Sequence, residues 1–566
     1  MTSTVTERKV ELEVGFAGKS IPRKEDKRLV QGQGVFADDV KRHGMGYLHF
    51  VRSPYAHARI LSIDVSAAEA IPGVYGTLTG EEVAELTDPF FQIATPPGAY
   101  VRDYALAVGK VRYAGEPVAA VVAETRELAR DAAELVEVEY EPLPVVVDAR
   151  RALDDDAPIL HDECGTNLSW SGVYEWGDVE GAFAACDRIV RIKELHFDRF
   201  NSTPLECDAA LVEYDRGTGQ WTITTNNQFP GFAAIMMAPA MRVGTDKLRF
   251  VTHDIGGGFG NKITSHPQLV ACCLLARKLD RPIQWTEWRT EFHQSMSHGN
   301  ERWFQDVEVA VTADGTLLGF RCKALDDAGA YLRYEPLGGV IWAQVSPGLY
   351  RWKNIRVEFT QVMTNKAPVS PNRGYSRMQH LWLTERIIDI VAHELGLDPV
   401  EVRKRNYIKA EEMPYTTPNG CVYDSGDYAR CLDIALDLID YERVKERRGR
   451  RDGKLVGIGI GSTLDSGTNN FGQSTLLNPE LQFSGNNEVA TVKLDIFGEI
   501  VVTLGTAPQG QGHETTAAQV VADILGVTPD DVNVRRGHDS YWNSHAGFSG
   551  TYASQFAVTG LMAGKG

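Results

Sequence analysis

The string Gly256-Gly257-Gly258-Phe259-Gly260-Asn261-Lys262 constrains this chain more than any other. It follows an apolar stretch, Leu248–Val251, that reads as a strand, and precedes a helix pattern through Leu269, Cys272 and Leu275. Consecutive glycines admit backbone conformations closed to other residues and present several N–H groups with no side chain in the way. Between a strand and a helix N-terminus, such a loop makes a site for an anion or an oxygen. Two nucleotide readings fail. A Walker A loop needs glycine before the lysine and Ser or Thr after it, where Asn261 and Ile263 stand. A dinucleotide fingerprint from Gly256 needs glycine at 261, and Gly457-Ile458-Gly459-Ile460-Gly461 lacks its final glycine because Ser462 takes that place. The bland alternative is a tight structural turn, for which Phe259 and Lys262 are unusual.

Two further strings carry chemistry. Gln509-Gly510-Gln511-Gly512-His513-Glu514 also lies at a strand-to-helix junction. Paired glutamine amides donate and accept at once, which suits the ring edge of a pterin; the alternative is a polar loop capping a helix. In Pro371-Asn372-Arg373-Gly374-Tyr375-Ser376-Arg377, an arginine beside a glycine and an aromatic, ahead of a buried helix, is a pocket candidate.

With 566 residues the chain is too long for one core, and about 150 residues per domain gives roughly three to four. The order of elements predicts an α+β fold. Its expected parts are an N-terminal extension (1–28), a small α/β domain (29–147), a linker rich in proline and aspartate (148–164), a first large domain (165–430) and a second (431–566). In the small domain, Pro117–Ala123, Thr125–Leu135 and Val136–Tyr140 read as a βαβ unit. Asp215–Gly219 and Asp314–Gly315 read as hairpin turns. A helix from His380 stops at Gly396, and Asp398-Pro399 starts the next. Strand, glycine loop and helix recur at 247–277 and 500–525, as two halves flanking one ligand would.

A net charge of −18 with no long basic run argues against nucleic acid, and the short cluster Arg447, Arg448, Arg450 and Arg451 reads as solvated surface. No stretch of about 18 apolar residues predicts a membrane span. The polar Met1–Lys19 does not read as a signal peptide. Eight scattered cysteines, none in a Cys-x-x-Cys pair, fit a cytoplasmic location and argue against zinc ribbons or iron–sulfur clusters on this chain.

Together, the three strings in this order resemble the large subunit of the molybdenum hydroxylases, the family of xanthine dehydrogenase, aldehyde oxidase and aerobic carbon monoxide dehydrogenase. The likeness runs from Leu29 to the end. It implies a hammerhead-like small domain, then a two-part molybdopterin-binding region incomplete at its C-terminus. It also implies a molybdenum held by a pterin dithiolene, in the cytosine dinucleotide form, with no protein ligand to the metal. The implied chemistry hydroxylates an electron-poor carbon, in an N-heteroaromatic ring or an aldehyde, with water as the oxygen source. Electrons then pass to partner chains, a medium subunit with FAD and a small one with [2Fe-2S] clusters, in a dimer of heteromers. By the same resemblance Gln228 bonds a metal oxygen, the backbone at Phe259 and Gly260 meets the metal's oxo group, and Gly258 is cofactor-binding with them. Arg373 and Tyr375 stand at the metal and the substrate. Gln509, Gln511, Gly512 and His513 form the pterin loop, and Ser554 and Gln555 lie by the cofactor's phosphates.

The departures are informative. Purine-oxidising members carry a carboxylate where Ile263 stands, which disfavours xanthine, and the copper-containing carbon monoxide enzymes carry a cysteine where Gly374 stands. A carbon monoxide dehydrogenase-like enzyme without that cysteine is the alternative, as is a non-redox enzyme or cofactor-free scaffold on the same fold. The family's glutamate base lies beyond Ser554 in a segment not found before Gly566, and Glu206 and Glu514 are poor substitutes. The expectation is therefore a separate chain that completes the fold and brings the glutamate, or a truncated sequence.

Overall fold

The computed structural model describes residues 15–295, 298–448, 453–465, 488–542 and 550–565. Part of the Arg447–Arg451 cluster lies outside them. The chain builds a mixed eight-stranded sheet in the order His538–Asp539, Leu248–Thr252, Gln220–Thr225, Ala209–Asp215, Ile283–Thr286, Gly46–Arg52, Pro117–Ala123, Val74–Thr79. This sheet crosses the expected boundary between the small and the first large domain, because Gly46–Leu48 runs parallel to Ile283–Trp285. At that seam Phe50 meets Trp285 edge to face, with ring centroids 5.9 Å apart, and both are almost wholly buried. Such a pair contributes about 0.5–1.5 kcal/mol beyond its area.

The expected βαβ unit is not one. Its three elements form, as strand Pro117–Ala123, helix Arg126–Ala133 and strand Glu137–Pro142. The second strand, however, pairs with Ala58–Asp64 in a separate three-stranded sheet. Pro117–Ala123 is buried at every position, whereas Glu137, Glu139 and Glu141 point to solvent. A strand with one charged face cannot lie in a layer buried on both sides.

A five-stranded sheet follows, in the order Leu168–Trp176, Asn354–Val362, Leu317–Asp327, Glu301–Val311, Arg188–Phe197. Alternation along Asn354–Val362 sends Ile355, Val357 and Phe359 into the core. Against this core lie helices His266–Leu279 and Arg377–Leu395. The second starts three residues before its expected start and stops at Gly396, whose φ of +66° is the left-handed cap that glycine adopts without strain. Asp398 then caps Pro399–Asn406 by accepting from Val400 N.

The last region has its own small core. Strands Ala490–Leu494, Ile500–Leu504 and Val532–Val534 pack Val502 and Leu504 against Ala518 and Val521 of helix His513–Leu525. The N-terminal segment is tied to this helix. Phe16 N and Ala17 N donate to Asp523, Lys24 N donates to Thr515 Oγ1 at 2.8 Å, and Arg28 bridges Asp254 at 2.7 Å and Glu514 at 2.5 Å. One guanidinium thus joins the two strand–loop–helix halves just behind their glycine loops. Among the described residues no helix is long and apolar enough to cross a membrane.

Candidate functional site

The three strings, more than a hundred residues apart in sequence, converge on one cavity of about 820 Å³. Its wall takes in Gln228, Gly258, Phe259, Gly260, Arg373, Tyr375, Gln509, Gln511, His513, Ser554 and Gln555. Gly512 lies behind the wall, with a φ of +82° that turns the chain into helix His513–Leu525.

Gln228 sits between strand Gln220–Thr225 and helix Pro230–Ala240. The Asn227 side chain fixes this junction, donating to Ser265 Oγ at 3.0 Å and accepting from Phe229 N at 2.8 Å. The Gln228 amide is buried and used at both ends. Oε1 accepts from Gly260 N at 2.9 Å, and Nε2 donates to Thr551 O at 2.9 Å. It therefore pins the first glycine loop to the 550–555 loop and leaves a second Nε2 hydrogen for a ligand.

The glycine loop does not sit on a helix N-terminus as its sequence implies. Asn261–Ile263 forms a short 3₁₀ turn, and the α-helix begins only at His266. Most of the loop's donors are consumed locally: Gly256 N by Glu206, Gly257 N by Ile255 O and Gly260 N by Gln228. The N–H groups of Gly258 and Phe259 have no acceptor among the described residues. Phe259 holds a φ of +55°, strained for an aromatic residue, and is 43% exposed. The unusual letters of the string also part company. Lys262 is fully buried against Glu206 at 2.9 Å, away from the cavity.

Arg373 is exposed on the cavity wall and makes no ion pair among the described residues. The buried arginine here is Arg377, paired with Asp465. Sequence reasoning quoted Arg377 only as the end of a motif, and the buried helix face at His380–Ile387 was the available signal. Gly374 has a φ of +85°. Tyr375 lines the cavity but donates its hydroxyl to Glu335 Oε1 at 2.7 Å.

The glutamine pair is not open at both amides. Gln511 Oε1 accepts from Gln509 N at 2.6 Å, and Gln511 Nε2 donates to Gln509 Oε1 at 2.9 Å. The short Gln-Gly-Gln spacing lets the two side chains close on each other, leaving N–H groups rather than oxygens for a ligand. His513 stacks on Phe556 at 3.5 Å, and burial pushes its imidazole down to about 3, so it is neutral across the working range. Ser554 has a φ of +54°, and Gln555 turns its amide to Gly550 O at 2.7 Å, bracing the loop.

Of the two glutamates named as poor substitutes for a base, Glu206 is held by Lys262 and Glu514 by Arg28. A third carboxyl, Glu488, borders the Gln228–Thr551 contact and escaped sequence reasoning, since nothing local marks it. It accepts from Gly550 N at 3.3 Å, next to the Thr551 peptide that binds Gln228. Burial pushes Glu488 up to about 7, against the opposing effect of the Val489 and Gly550 N–H donors. A carboxyl raised on folding favours the fold in its protonated form. Its stabilisation is complete below pH 4.5 and lost as pH rises through about 7, by about 3 kcal/mol at most. Glu488→Gln is therefore expected to unfold at a higher temperature than its parent at pH 8.5, with the gap closing at pH 4.5. A thermal melt series over that range checks this, and parallel pH profiles would reject it.

Residues 160–407 and 434–566 match the molybdopterin cofactor-binding domain, and residues 31–144 match the α/β hammerhead domain of aldehyde oxidase and xanthine dehydrogenase. The chain is 33% identical to the nicotine 6-hydroxylase large subunit of Paenarthrobacter nicotinovorans, over 96% of this chain and 66% of that one. It is 33% identical to the carbon monoxide dehydrogenase large chain of Hydrogenophaga pseudoflava, over 91% and 66%. It thus spans just under two thirds of the length of these relatives. The crystal structure of quinoline 2-oxidoreductase from Pseudomonas putida 86 superposes with a TM-score of 0.88 at 33% identity, over 97% of this chain and 69% of that one.

Proposed function

Since the chain belongs to the xanthine dehydrogenase and aldehyde oxidase family and carries its molybdopterin-binding domains, we propose that the cavity is the active site of a molybdenum hydroxylase acting on an electron-poor carbon. The observation that carries this reading is the meeting of Gln228, the Gly258 and Phe259 N–H groups, unpaired among the described residues, and the Gln509–His513 loop around one cavity of about 820 Å³.

The residues suit a molybdopterin. A Cβ on Gly258 would come within 2.5 Å of Gln228 Oε1, so only glycine leaves that cradle open. When bound, the cofactor supplies two-electron oxidation with oxygen drawn from water. The chain's part is orientation and electrostatics. The N–H groups of Gly258 and Phe259 and the second Nε2 hydrogen of Gln228 are donors fixed in advance, which cost no reorganisation when charge builds on an oxygen. Gln509 and Gln511 offer amide hydrogens to a ring edge, and neutral His513 adds no charge there. Tyr375 and Ile263 bound the substrate side. The buried, apolar Ile263 leaves nothing to bond a purine.

To this reading belong the cytosine dinucleotide form of the cofactor and partner chains carrying FAD and [2Fe-2S] clusters. The relatives named for nicotine and quinoline favour an N-heteroaromatic over an aldehyde substrate. The relative named for carbon monoxide raises a second reading, with copper. Gly374 speaks against it, since its φ of +85° strains any side chain placed there. The complex purified from a cofactor-making host is expected to hold about one molybdenum per chain and a pterin nucleotide, and to reduce a dye on addition of an N-heteroaromatic without copper. Copper required for activity would reinstate the second reading, and absence of molybdenum would overturn the first.

A further inference from the structure

Tyr375 lines the cavity, but its hydroxyl points out of it, into a buried polar network. Glu335, wholly buried, accepts the phenol O–H at 2.7 Å. Asn300 Nδ2 donates to Glu335 at 2.7 Å and to Asp326 at 3.0 Å, and Gln361 Nε2 donates to both at 2.8 Å. Arg302 pairs with Asp326 at 2.8 Å and donates to Ser376 Oγ at 2.9 Å. One network therefore grips the Tyr375 hydroxyl and the backbone beside it, where Ser376 is held at a φ of +57°. Burial together with the neighbouring Asp326 pushes Glu335 up. Tyr334 closes edge-on against the Tyr375 ring at 5.4 Å.

With its hydroxyl committed, Tyr375 can meet a substrate only through its ring. A ring held in one orientation offers its face to a flat aromatic partner at little entropic cost. We propose that Glu335 is a positioning residue that fixes the Tyr375 ring, so that the cavity holds flat N-heteroaromatic rings better than small aliphatic aldehydes. This rests on the hydroxylase reading of the same site and adds to it the residue that sets its substrate preference.

The test uses the molybdenum-loaded complex, with isoquinoline and propionaldehyde as probes. Glu335→Ala is expected to raise KM for isoquinoline about three- to tenfold, with a smaller change in kcat and a smaller change in KM for propionaldehyde. Glu335→Gln, which keeps an acceptor oxygen for the Tyr375 hydroxyl, is expected to fall between. Tyr375→Phe removes the hydroxyl through which Glu335 acts, so adding Glu335→Gln to it should change KM no further. Additive effects, or equal effects on both probes, would overturn the proposal. Should Glu335→Ala fail to fold, the Gln and Phe variants carry the same comparison. If the loaded parent oxidises neither probe, the hydroxylase reading fails by itself. Calorimetric binding of isoquinoline then decides the positioning role, with binding by Glu335→Gln expected to weaken by up to about threefold and unchanged binding overturning it.

Discussion

Replacing Gln228 with alanine is expected to lower kcat per bound molybdenum about 10²–10³-fold, the usual cost of losing one preorganised donor at a charge-bearing oxygen. The amide also joins Gly260 N to Thr551 O, so its loss leaves two interior groups without partners. That costs about 1–3 kcal/mol each and lowers the melting temperature as well. Measuring turnover per molybdenum separates the two effects. Gly258→Ala offers an independent route to the same outcome, since its Cβ would displace Gln228 Oε1 from 2.5 Å without removing the residue. Full turnover per molybdenum in both variants would reduce Gln228 to a structural tie.

A second large loss is expected at Gly260. Its φ is +97°, and a Cβ there would stand 2.3 Å from Pro371 O. The left-handed strain alone costs about 1–2 kcal/mol. The clash is with backbone, which cannot swing aside as a side-chain tip can. Gly260→Ala must therefore part the glycine loop from the Ser370–Pro371 segment packed directly against it, at the edge of the cavity. Molybdenum content per chain is expected to fall at least about tenfold, each tenfold being about 1.4 kcal/mol. Gly498→Ala is the control, because that hairpin glycine has a φ of +84° with nothing within 4 Å of its Cβ. Equal molybdenum content in the two variants would refute the argument.

The sequence by itself determined the features that depend on a few neighbouring residues. Hairpin turns at Asp215–Gly219 and Asp314–Gly315, the helix stop at Gly396, the cap at Asp398 and the two glycine loops are all set by local φ preference, capping and hydrophobic period. The candidate site was legible as three strings for the same reason, since positive-φ glycines must be written into the sequence where they are needed.

Only the tertiary structure decided which strings meet and which side chains of each one face the cavity. Gln228 and Thr551 are 323 residues apart, and no local pattern records that contact. The strands of the expected βαβ unit form as predicted but join different sheets, because a strand's partner depends on what covers both of its faces. Arg377 rather than Arg373 is buried, and Lys262 turns inward to Glu206. Likewise the Tyr375 hydroxyl is withdrawn to Glu335, 40 residues upstream. A buried charge or hydroxyl takes whichever partner packing brings within reach, and that reach is a property of the folded core rather than of any segment of the chain.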